Sequence, residues 1–325
     1  MYSITPSSES SLLVSQEKNL LQEAIAGLNQ SPKVLPSKLL YDERGSQLFE
    51  AICELPEYYP TRTEKNILAN NVSEIAQVIG SHIELIEFGS GASIKTRILL
   101  DALIEPVSYI PIDISGEQLI ASAAKIQQTY PHIVVSPVHG DYTQKISDYL
   151  LPKLSRKVNR KIAFFPGSTI GNFHKSEVEQ FLRQVVDLVG KGGGLLIGVD
   201  LKKNENTLIK AYNDSQGITA HFNLNLLHRL NRELKANFAV EYFEHRAIWN
   251  EEESRIEMHL ISLKSQTAKI QNFHCYFEQH ESICTEYSYK YSLEEFALLA
   301  ADYFQVEKVW TDEESLFSVQ YLKRK

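Results

Sequence analysis

Between residues 83 and 200 the sequence alternates between short apolar segments and amphipathic ones, and this pattern restricts the fold more than any other feature. The apolar segments, which we predict to be strands, are Ile83 to Phe88, Ser108 to Ile114, Ile133 to Val138, Lys161 to Phe165 and Gly194 to Asp200. The predicted helices between them are Lys95 to Leu103, Glu117 to Gln128 and a segment whose capping box begins at Ser176. Alternation at this spacing predicts an α/β fold, in which helices cover both faces of a parallel, Rossmann-like sheet.

The regions on either side of this pattern differ from it. Residues 203–290 contain helical segments followed by long strand-like runs, which is typical of a smaller, mixed α+β domain. Residues 38–80 have a helical pattern, in which Pro56 and Pro60 are predicted to force an extended turn before a helix from Thr63 to Val78.

The C-terminal residues return to the α/β pattern. Ser292-Leu293-Glu294-Glu295 is a capping box that predicts a helix, and Phe304 to Trp310 with Ser315 to Leu322 predict a closing β-hairpin. We therefore assign three parts to the chain. They are a flexible, serine-rich tail at residues 1–16, a discontinuous substrate-binding domain of residues 17–62 and 203–290, and an α/β domain of residues 63–202 and 291–325.

Charge and composition narrow the class of function. The formal net charge of −8 weighs against a nucleic-acid partner, which would favour a strongly basic face. The three cysteines form no CxxC pair and the ten histidines form no HExxH motif, so we expect no metal. The sequence has no signal peptide and no apolar run of about 20 residues that could span a membrane. We therefore expect a cytoplasmic monomer that acts on a small molecule.

Three of the predicted strands end in residues suited to an adenosyl ligand. The first strand leads into Glu87-Phe88-Gly89-Ser90-Gly91, where glycines let the backbone turn tightly and approach a ligand. The second ends near Asp113, which is placed to accept hydrogen bonds from both ribose hydroxyls. The third leads to Asp141 and Tyr142, a carboxylate for the exocyclic amine of adenine and an aromatic ring to cover the base. Because ligands of parallel sheets bind at the carboxyl ends of strands, we predict one adenosyl site.

The same loop distinguishes between two adenosyl cofactors. The third glycine of a dinucleotide fingerprint would fall at Ile94, so the helix start that binds a pyrophosphate is missing. S-adenosylmethionine has no pyrophosphate, and Lys95 could pair with its carboxylate, although a solvated helix charge is the commoner role of a lysine. Glu87 is the acidic residue common in methyltransferase loops, and an antiparallel hairpin closes methyltransferase sheets. The sequence therefore predicts an S-adenosylmethionine-dependent methyltransferase.

The fourth strand leads into Gly167-Ser168-Thr169-Ile170-Gly171-Asn172. In amine-modifying methyltransferases this strand end faces the acceptor nitrogen. Asn172 can both donate and accept hydrogen bonds, which suits an amino-acid headgroup. It could equally be the N-cap of the next helix, and the residues alone leave both interpretations open.

Five longer motifs occur in order along the chain. They are Tyr41-Asp42-Glu43-Arg44-Gly45, Leu55-Pro56-Glu57-Tyr58-Tyr59-Pro60-Thr61-Arg62, Glu87-Phe88-Gly89-Ser90-Gly91, Gly167-Ser168-Thr169-Ile170-Gly171-Asn172 and Thr285-Glu286-Tyr287-Ser288. From about residue 33 to the C-terminus the chain closely resembles the histidine N-alpha-methyltransferases of ergothioneine biosynthesis. The resemblance implies a class I methyltransferase sheet and three successive methylations of the α-amino group of L-histidine, which give hercynine.

The resemblance also implies which residues bind each substrate. The implied cofactor contacts are Gly89, Lys95, Asp113, Asp141 and Tyr142, the last of which is usually phenylalanine in the family. The implied histidine contacts are Tyr41, Tyr58, Asn172, Tyr212, Glu286, Tyr287 and Ser288, with Asn172 and Tyr58 serving catalysis. By analogy Asn172 and Tyr212 hold the amino-acid end. Glu286 and Ser288 receive the imidazole, and their spacing of two on a predicted strand puts both side chains on one face.

The residues taken singly leave several other roles and functions open. Singly, Glu286 and Ser288 could be solvated strand residues, Tyr58 and Tyr212 core aromatics, and Met258 either a pocket residue or core packing. No histidine stands out as a general base, so we predict that the amine loses its proton to solvent. The nearest alternative function is the same chemistry on another amino acid such as tryptophan, because the pocket rather than the fold selects the side chain. A non-catalytic binding module is a further alternative, against which the glycine loop, Asp113 and Asp141 argue.

Overall fold

The computed structural model describes residues 19–91, 93–143 and 157–325, and in it the chain forms two compact units. An α+β unit contains the chain up to Tyr58 and Asn204–Tyr287, and an α/β unit contains Tyr59–Lys203 and Ser288–Lys325. The boundaries follow residues 58, 203 and 287, whereas the sequence places them after residues 62, 202 and 290. The predicted tail at residues 1–16 lies outside the described residues.

The described elements are as follows in chain order. The helices are α1 (residues 19–28), α2 (Glu43–Cys53), α3 (Tyr59–Ile79), α4 (Ile94–Ala102), α5 (Gly116–Thr129), α6 (Lys175–Val189), α7 (Glu205–Tyr212), α8 (Ile218–Leu234) and α9 (Leu293–Ala300). The strands are β1 (Lys33–Val34), β2 (Ile83–Phe88), β3 (Ser108–Asp113), β4 (Val134–Val135), β5 (Val138–His139), β6 (Arg160–Phe165), β7 (Gly194–Asp200), β8 (Phe243–Asn250), β9 (Arg255–Ser262), β10 (Gln266–Ile270), β11 (Phe273–Phe277), β12 (Ser282–Tyr289), β13 (Phe304–Thr311) and β14 (Phe317–Arg324).

The α/β unit is built on an eight-stranded sheet with the order β13-β14-β7-β6-β2-β3-β4, and β5 also pairs with β3. Strands β2 to β7 pair in parallel, whereas β14 is antiparallel to β7 and to β13. Neighbouring residues of one strand face opposite sides: Phe164 belongs to the core with Leu68 of α3 and Leu99 of α4. Phe165 instead packs on Phe181 of α6, with ring centroids 4.6 Å apart. Helices therefore cover both faces, which confirms the predicted Rossmann-like sheet.

Three local predictions for this unit are wrong in an instructive way. The predicted break between two helices occurs at residues 54–58, which include Pro56, but Pro60 is not part of it, because it lies in the first turn of α3, where a proline sacrifices no helical hydrogen bond. The predicted strand from Ile133 to Val138 is two short strands separated at Pro137, whose missing N–H cannot join the ladder. Helix α6 begins before Ser176: its N-cap is His174, whose backbone N–H donates to Glu177 at 2.7 Å.

The C-terminal predictions are confirmed. Ser292 Oγ accepts a hydrogen bond from the N–H of Glu295 at 3.1 Å, and Glu295 accepts one from the N–H of Ser292 at 2.7 Å. This reciprocal pair is the predicted capping box, and it begins α9. Strands β13 and β14 form the predicted antiparallel hairpin.

The α+β unit contains a four-stranded sheet with the order β1-β12-β9-β8 and a separate hairpin of β10 and β11. Strand β1 is parallel to β12, and β8 is antiparallel to β9. Helix α8 packs on β8, β9 and α2. The β10–β11 hairpin is an element that the sequence pattern does not predict. Throughout the described ranges, every helix is too short or too polar to cross a membrane.

Candidate functional site

The glycine loop after β2 is joined to the end of β3. Gly89 and Gly91 have φ values of +70° and +43°, a backbone conformation that strains any residue with a side chain. Asp113 Oδ2 accepts a hydrogen bond from the N–H of Gly91 at 3.1 Å, and its Oδ1 accepts one from the N–H of Ser115 at 2.9 Å. Each carboxylate oxygen keeps a second lone pair, so Asp113 can still accept from a ribose hydroxyl. The structure thus brings together Gly89 and Asp113, two predicted cofactor residues.

Tyr142 packs beside the same loop. Its ring lies 6.1 Å from that of Phe88 and 5.6 Å from that of Phe165, and a Cβ placed on Gly89 would meet it at 3.8 Å. Burial raises the pKa of the Tyr142 phenol well above its usual value, so the ring stays neutral. Next to it, Asp141 accepts hydrogen bonds from the N–H and hydroxyl of Thr143, at 2.9 and 2.5 Å. This end of the sheet therefore offers a neutral aromatic surface beside a carboxylate.

Glu87, which the sequence interpretation assigns to the cofactor loop, turns into the core instead. The residue is 1% exposed, and its carboxyl group accepts hydrogen bonds from Thr96 Oγ1 at 2.7 Å and from the Tyr109 hydroxyl. Burial raises the pKa of Glu87 to about 8, although both hydrogen bonds act in the opposite direction. Glu87 therefore joins β2 to α4 and β3 from within the core.

Lys95, in the first turn of α4, has an ion-pair partner that the sequence does not reveal. Its ammonium group pairs with Glu64 of α3, whose side chain is fully buried. Glu64 also accepts a hydrogen bond from the N–H of Gly167 at 2.8 Å. An ammonium group has three donors, so this pair leaves Lys95 able to bind a ligand carboxylate as well. In the sequence Glu64 is an ordinary glutamate within an amphipathic helix, and nothing marks it as a site residue.

Asn172 ends a 3-10 turn, Thr169–Asn172, that follows β6. Because His174 is the N-cap of α6, the structure removes the helix-cap interpretation of Asn172. Within the same turn a Cβ on Gly171 would lie only 2.8 Å from the carbonyl oxygen of Tyr289, so glycine allows a close backbone approach there. The turn that carries Asn172 thus lies against the chain segment that begins at Ser288.

Ser288 belongs to a buried polar cluster at the carboxyl end of β7. Its Oγ lies 2.8 Å from Nζ of Lys290, and that ammonium group pairs with Asp200 at 2.7 Å. Asp200 also binds Lys203 at 2.6 Å and accepts a hydrogen bond from the hydroxyl of Tyr59 at 2.8 Å. The sequence singles out only Ser288 from this group. Asp200 does carry a signal that could have found it, since it is a carboxylate at the end of a parallel strand.

The negative charge of Asp200 is offset by the two lysines of this cluster. Burial alone would raise the pKa of Asp200, but the ammonium groups of Lys290 and Lys203 hold it below its usual value. Burial lowers the pKa of Lys203 to about 8. Asp200 is therefore a carboxylate at neutral pH, and Lys290 is its closest fully buried counter-ion.

In the α+β unit, three of the predicted histidine contacts belong to one aromatic cluster. Its rings are those of Tyr41, Phe49, Tyr58, Tyr212 and Phe222, with neighbouring centroids 5.5 to 6.2 Å apart. Burial, followed by the nearby phenol of Tyr212, raises the pKa of Tyr58 well above its usual value, and Glu286 contributes in the same direction. Tyr212 and Glu286 therefore both lie within electrostatic reach of Tyr58, and Tyr58 stays protonated.

A hydrogen-bond network fixes the backbone beside Tyr212. His245 Nε2 lies 2.9 Å from the carbonyl oxygen of Tyr212, and its Nδ1 lies 3.0 Å from Nδ2 of Asn223. Because the amide nitrogen can only donate, Nδ1 accepts and Nε2 carries the proton. Thr285 donates to Oδ1 of Asn223 at 2.6 Å, so the network reaches the residue next to Glu286. Met258, on β9, is only 1% exposed.

Arg255 contacts both Tyr287 and a cluster of three potential metal ligands. The ring of Tyr287 lies 3.9 Å from the guanidinium of Arg255, and Arg255 also pairs with Glu257 at 2.7 Å. Ligand atoms of Glu257, His259 and Cys284 lie within 4.8 Å of one another. Burial raises the pKa of the Cys284 thiol to about 12, and Arg255 already balances Glu257. Arg255 therefore neutralises one of the three potential ligands in this cluster.

The chain is similar in sequence to a known family of methyltransferases. A family described as histidine-specific, S-adenosylmethionine-dependent methyltransferases matches residues 20–324. A histidine N-alpha-methyltransferase of Mycolicibacterium smegmatis is 40% identical over 90% of this chain and 91% of its own. One from Mycobacterium tuberculosis is 39% identical over 92% and 93%. A 4-dimethylallyltryptophan N-methyltransferase of Claviceps purpurea is 25% identical over 94% and 95%.

The family match extends over both units and includes every strand of the parallel sheet. It agrees with the glycine loop, with Asp113 at the end of the next strand and with the antiparallel closing hairpin. The resemblance that the sequence motifs indicate is confirmed. The chain belongs to the histidine-specific, S-adenosylmethionine-dependent methyltransferase family.

Proposed function

We propose that this protein methylates the α-amino group of L-histidine three times and so produces hercynine, the first step of ergothioneine biosynthesis. The observation that carries the proposal is the pair of histidine N-alpha-methyltransferases that are 40% and 39% identical over at least nine-tenths of both chains. Tryptophan remains the second candidate side chain, but two 4-dimethylallyltryptophan N-methyltransferases that support it are only 29% and 25% identical.

We propose Gly89, Lys95, Asp113, Asp141 and Tyr142 as the cofactor contacts. These groups fit S-adenosylmethionine. Asp113 accepts hydrogen bonds from the ribose hydroxyls, Tyr142 covers the adenine ring, and Asp141 accepts a hydrogen bond from the exocyclic amine of adenine. Lys95 supplies a cation for the cofactor carboxylate. S-adenosylmethionine itself supplies an electrophilic methyl group on a sulfonium, so the protein has to position the amine rather than activate the donor.

We propose Tyr41, Tyr58, Asn172, Tyr212, Glu286, Tyr287 and Ser288 as the histidine contacts. Asn172 and Tyr212 hold the amino-acid end, with Tyr58 as a hydroxyl donor beside Tyr212. Glu286 can accept a hydrogen bond from an imidazole N–H, and Ser288 pairs with the other ring nitrogen. Tyr41 and Tyr287 contribute apolar surface, and aromatic faces also suit the cation that grows with each methylation.

We propose that the α-ammonium group of the substrate loses its proton to solvent. An α-ammonium has no lone pair, so the neutral amine is the nucleophile. Tyr58 cannot serve as the base at neutral pH, because burial raises the pKa of its phenol. Asn172 and the tyrosine hydroxyls orient the amine once it is neutral.

The test is to incubate the protein with S-adenosylmethionine and each of the twenty amino acids separately, with detection of products by mass. We expect mono-, di- and trimethylated histidine and no methylated product from the other nineteen. A methylated product from tryptophan but not from histidine would replace the proposal by its alternative. Calorimetric titration with S-adenosylhomocysteine separates an inactive enzyme from one that has no cofactor site.

A further inference from the structure

His139 joins the ends of two neighbouring strands of the parallel sheet in the α/β unit. It is the last residue of β5, and it lies in register beside Asp113, the last residue of β3. Its Nε2 lies 2.9 Å from the carbonyl oxygen of Ile114. Because a carbonyl oxygen can only accept, Nε2 carries the proton and donates it to this hydrogen bond. His139 is exposed, so water competes for the bond unless something holds the ring in place.

Gly116, the first residue of α5, provides the surface that holds this ring. A Cβ on Gly116 would lie 3.3 Å from each of three ring atoms of His139, namely Cε1, Nδ1 and Nε2. Equal distances to three atoms of one ring place that Cβ over the face of the imidazole, where it would press on the ring. Gly116 has no positive φ, and alanine favours a helix more than glycine does. The contact with His139, rather than the backbone conformation, therefore accounts for a glycine at this position.

The segment that His139 holds also fixes the carboxylate of Asp113. Ser115 directly follows Ile114, and its N–H donates to Asp113 Oδ1 at 2.9 Å. The backbone of β5 adds a second link, because the N–H of Gly140 donates to the carbonyl oxygen of Asp113 at 3.0 Å. A carboxylate that is already ordered before a ligand arrives binds it more tightly, since less ordering is left for the binding step.

We infer that His139 is a positioning residue for the ribose of S-adenosylmethionine. Its imidazole, seated on Gly116, fixes residues 114–116 and through them the carboxylate of Asp113. His139 acts on the cofactor only through Asp113, so its role rests on the proposed function, in which Asp113 accepts hydrogen bonds from the ribose hydroxyls. Without the imidazole the segment is free to move, and ribose binding has to order it.

The first test compares two ligands that differ only in the ribose, S-adenosylhomocysteine and its 2′,3′-dideoxy analogue. By isothermal titration calorimetry, His139→Ala should bind S-adenosylhomocysteine about fivefold more weakly than the wild type does. Its affinity for the dideoxy analogue should equal that of the wild type, because that ligand has no hydroxyl for Asp113. His139→Gln keeps an N–H that can donate to Ile114 and should restore most of the lost affinity. His132→Ala, which removes another exposed histidine of the same unit, should leave both affinities unchanged.

The Gly116→Ala variant separates positioning from a contribution to stability. Its Cβ should displace the ring of His139 and weaken S-adenosylhomocysteine binding by about the same factor as His139→Ala. The midpoint of urea denaturation should nevertheless stay the same or rise, because alanine favours the helix. In the His139→Ala background no ring stands over the new Cβ, so adding Gly116→Ala should leave the affinity unchanged and raise the midpoint.

Every result decides for or against the role of His139. Equal weakening of both ligands in His139→Ala would overturn it, and so would additive weakening in the double variant. Should His139→Ala fail to fold, Gly116→Ala still decides, since an unchanged affinity for S-adenosylhomocysteine there contradicts a positioning ring. If the wild-type enzyme binds both ligands equally, the contact of Asp113 with the ribose fails and the role of His139 fails with it. A wild-type enzyme that binds S-adenosylhomocysteine but does not methylate histidine would refute the proposed substrate alone, because these affinities do not depend on it.

Discussion

The ammonium group of Lys95 pairs with Glu64, a carboxylate that no solvent reaches. The same carboxylate accepts a hydrogen bond from the N–H of Gly167, so it connects α4 with the loop that leads to Asn172. One buried acid therefore stabilises the positions of a proposed cofactor contact and of the segment that carries a proposed substrate contact.

Replacing Glu64 with glutamine should weaken cofactor binding selectively. The amide oxygen can still accept from Gly167, but Lys95 loses its anionic partner and its fixed position. We expect S-adenosylhomocysteine to bind about tenfold more weakly, and 5′-methylthioadenosine, which lacks the amino-acid end, to bind as before. Isothermal titration calorimetry measures both affinities. Equal weakening of both ligands would show that Glu64 supports the fold rather than Lys95.

Glu84 offers a matched control for that experiment. It is 2% exposed on β2, pairs with Lys161 at 3.6 Å and accepts a hydrogen bond from Ser108 at 3.0 Å. Glu84→Gln and Glu64→Gln should each lower the free energy of unfolding by about 1–3 kcal/mol, measured by urea denaturation. Only the Glu64 variant should also change the affinity for S-adenosylhomocysteine.

Replacing Asn172 with alanine should reduce kcat/KM for histidine by about a hundredfold, because the amine is no longer oriented. Steady-state kinetics with both substrates varied measures the effect, and the affinity for S-adenosylhomocysteine should stay within about twofold of wild type. Asn159→Ala is the control, since Asn159 is exposed and its side-chain amide donates to the carbonyl of Ser81 at 3.2 Å. Near-wild-type activity of the Asn172 variant would remove Asn172 from the proposed site.

Glu87 should make the protein less stable as the pH rises. Its pKa is raised by burial from the usual 4.5 to about 8 in the folded protein, so the folded state holds a proton that the unfolded state releases between those values. The free energy of unfolding should therefore fall through that window and level off above about pH 8. Glu87→Gln, which cannot ionise, should lack this decline in urea titrations between pH 5 and 9. Parallel curves for the two proteins would show that Glu87 is ionised when folded.

The sheet and the glycine loop can be predicted because their signals are local. Alternating apolar and amphipathic segments encode strands and helices directly, and Gly89 and Gly91 mark a turn whose positive φ values favour glycine. Glu87 shows the limit of this reasoning. Its place before the glycines suggests a ligand contact, but only the packed structure reveals that Thr96 and Tyr109 hold it in the core.

The residues that support the site cannot be predicted from a single sequence, because their partners lie far away along the chain. Glu64 meets Lys95 across 31 residues, and Asp200 meets Lys290 and Tyr59 across still longer separations. Nothing in the local sequence distinguishes a lysine that will be fully buried from one on the surface. Tertiary pairing makes that distinction, because burial of a charge requires a partner that the fold supplies.

His245 should make the protein less stable as the pH falls. Burial lowers the pKa of His245 below its usual 6.5, while the carbonyl of Tyr212 and Asp214 oppose that shift and His259 adds to it. Below about pH 6.5 the unfolded state therefore binds a proton that the folded state does not bind. The contribution of His245 to the free energy of unfolding is fully present above about pH 6.5 and declines as the pH falls below that value. Protonation would also place an N–H of His245 against the amide donor of Asn223. His245→Gln should lack the decline in urea titrations between pH 5 and 7.5, whereas His221→Gln, at an exposed position of α8, should retain it. If wild type and His245→Gln lose stability in parallel, the network beside Tyr212 does not depend on a neutral His245.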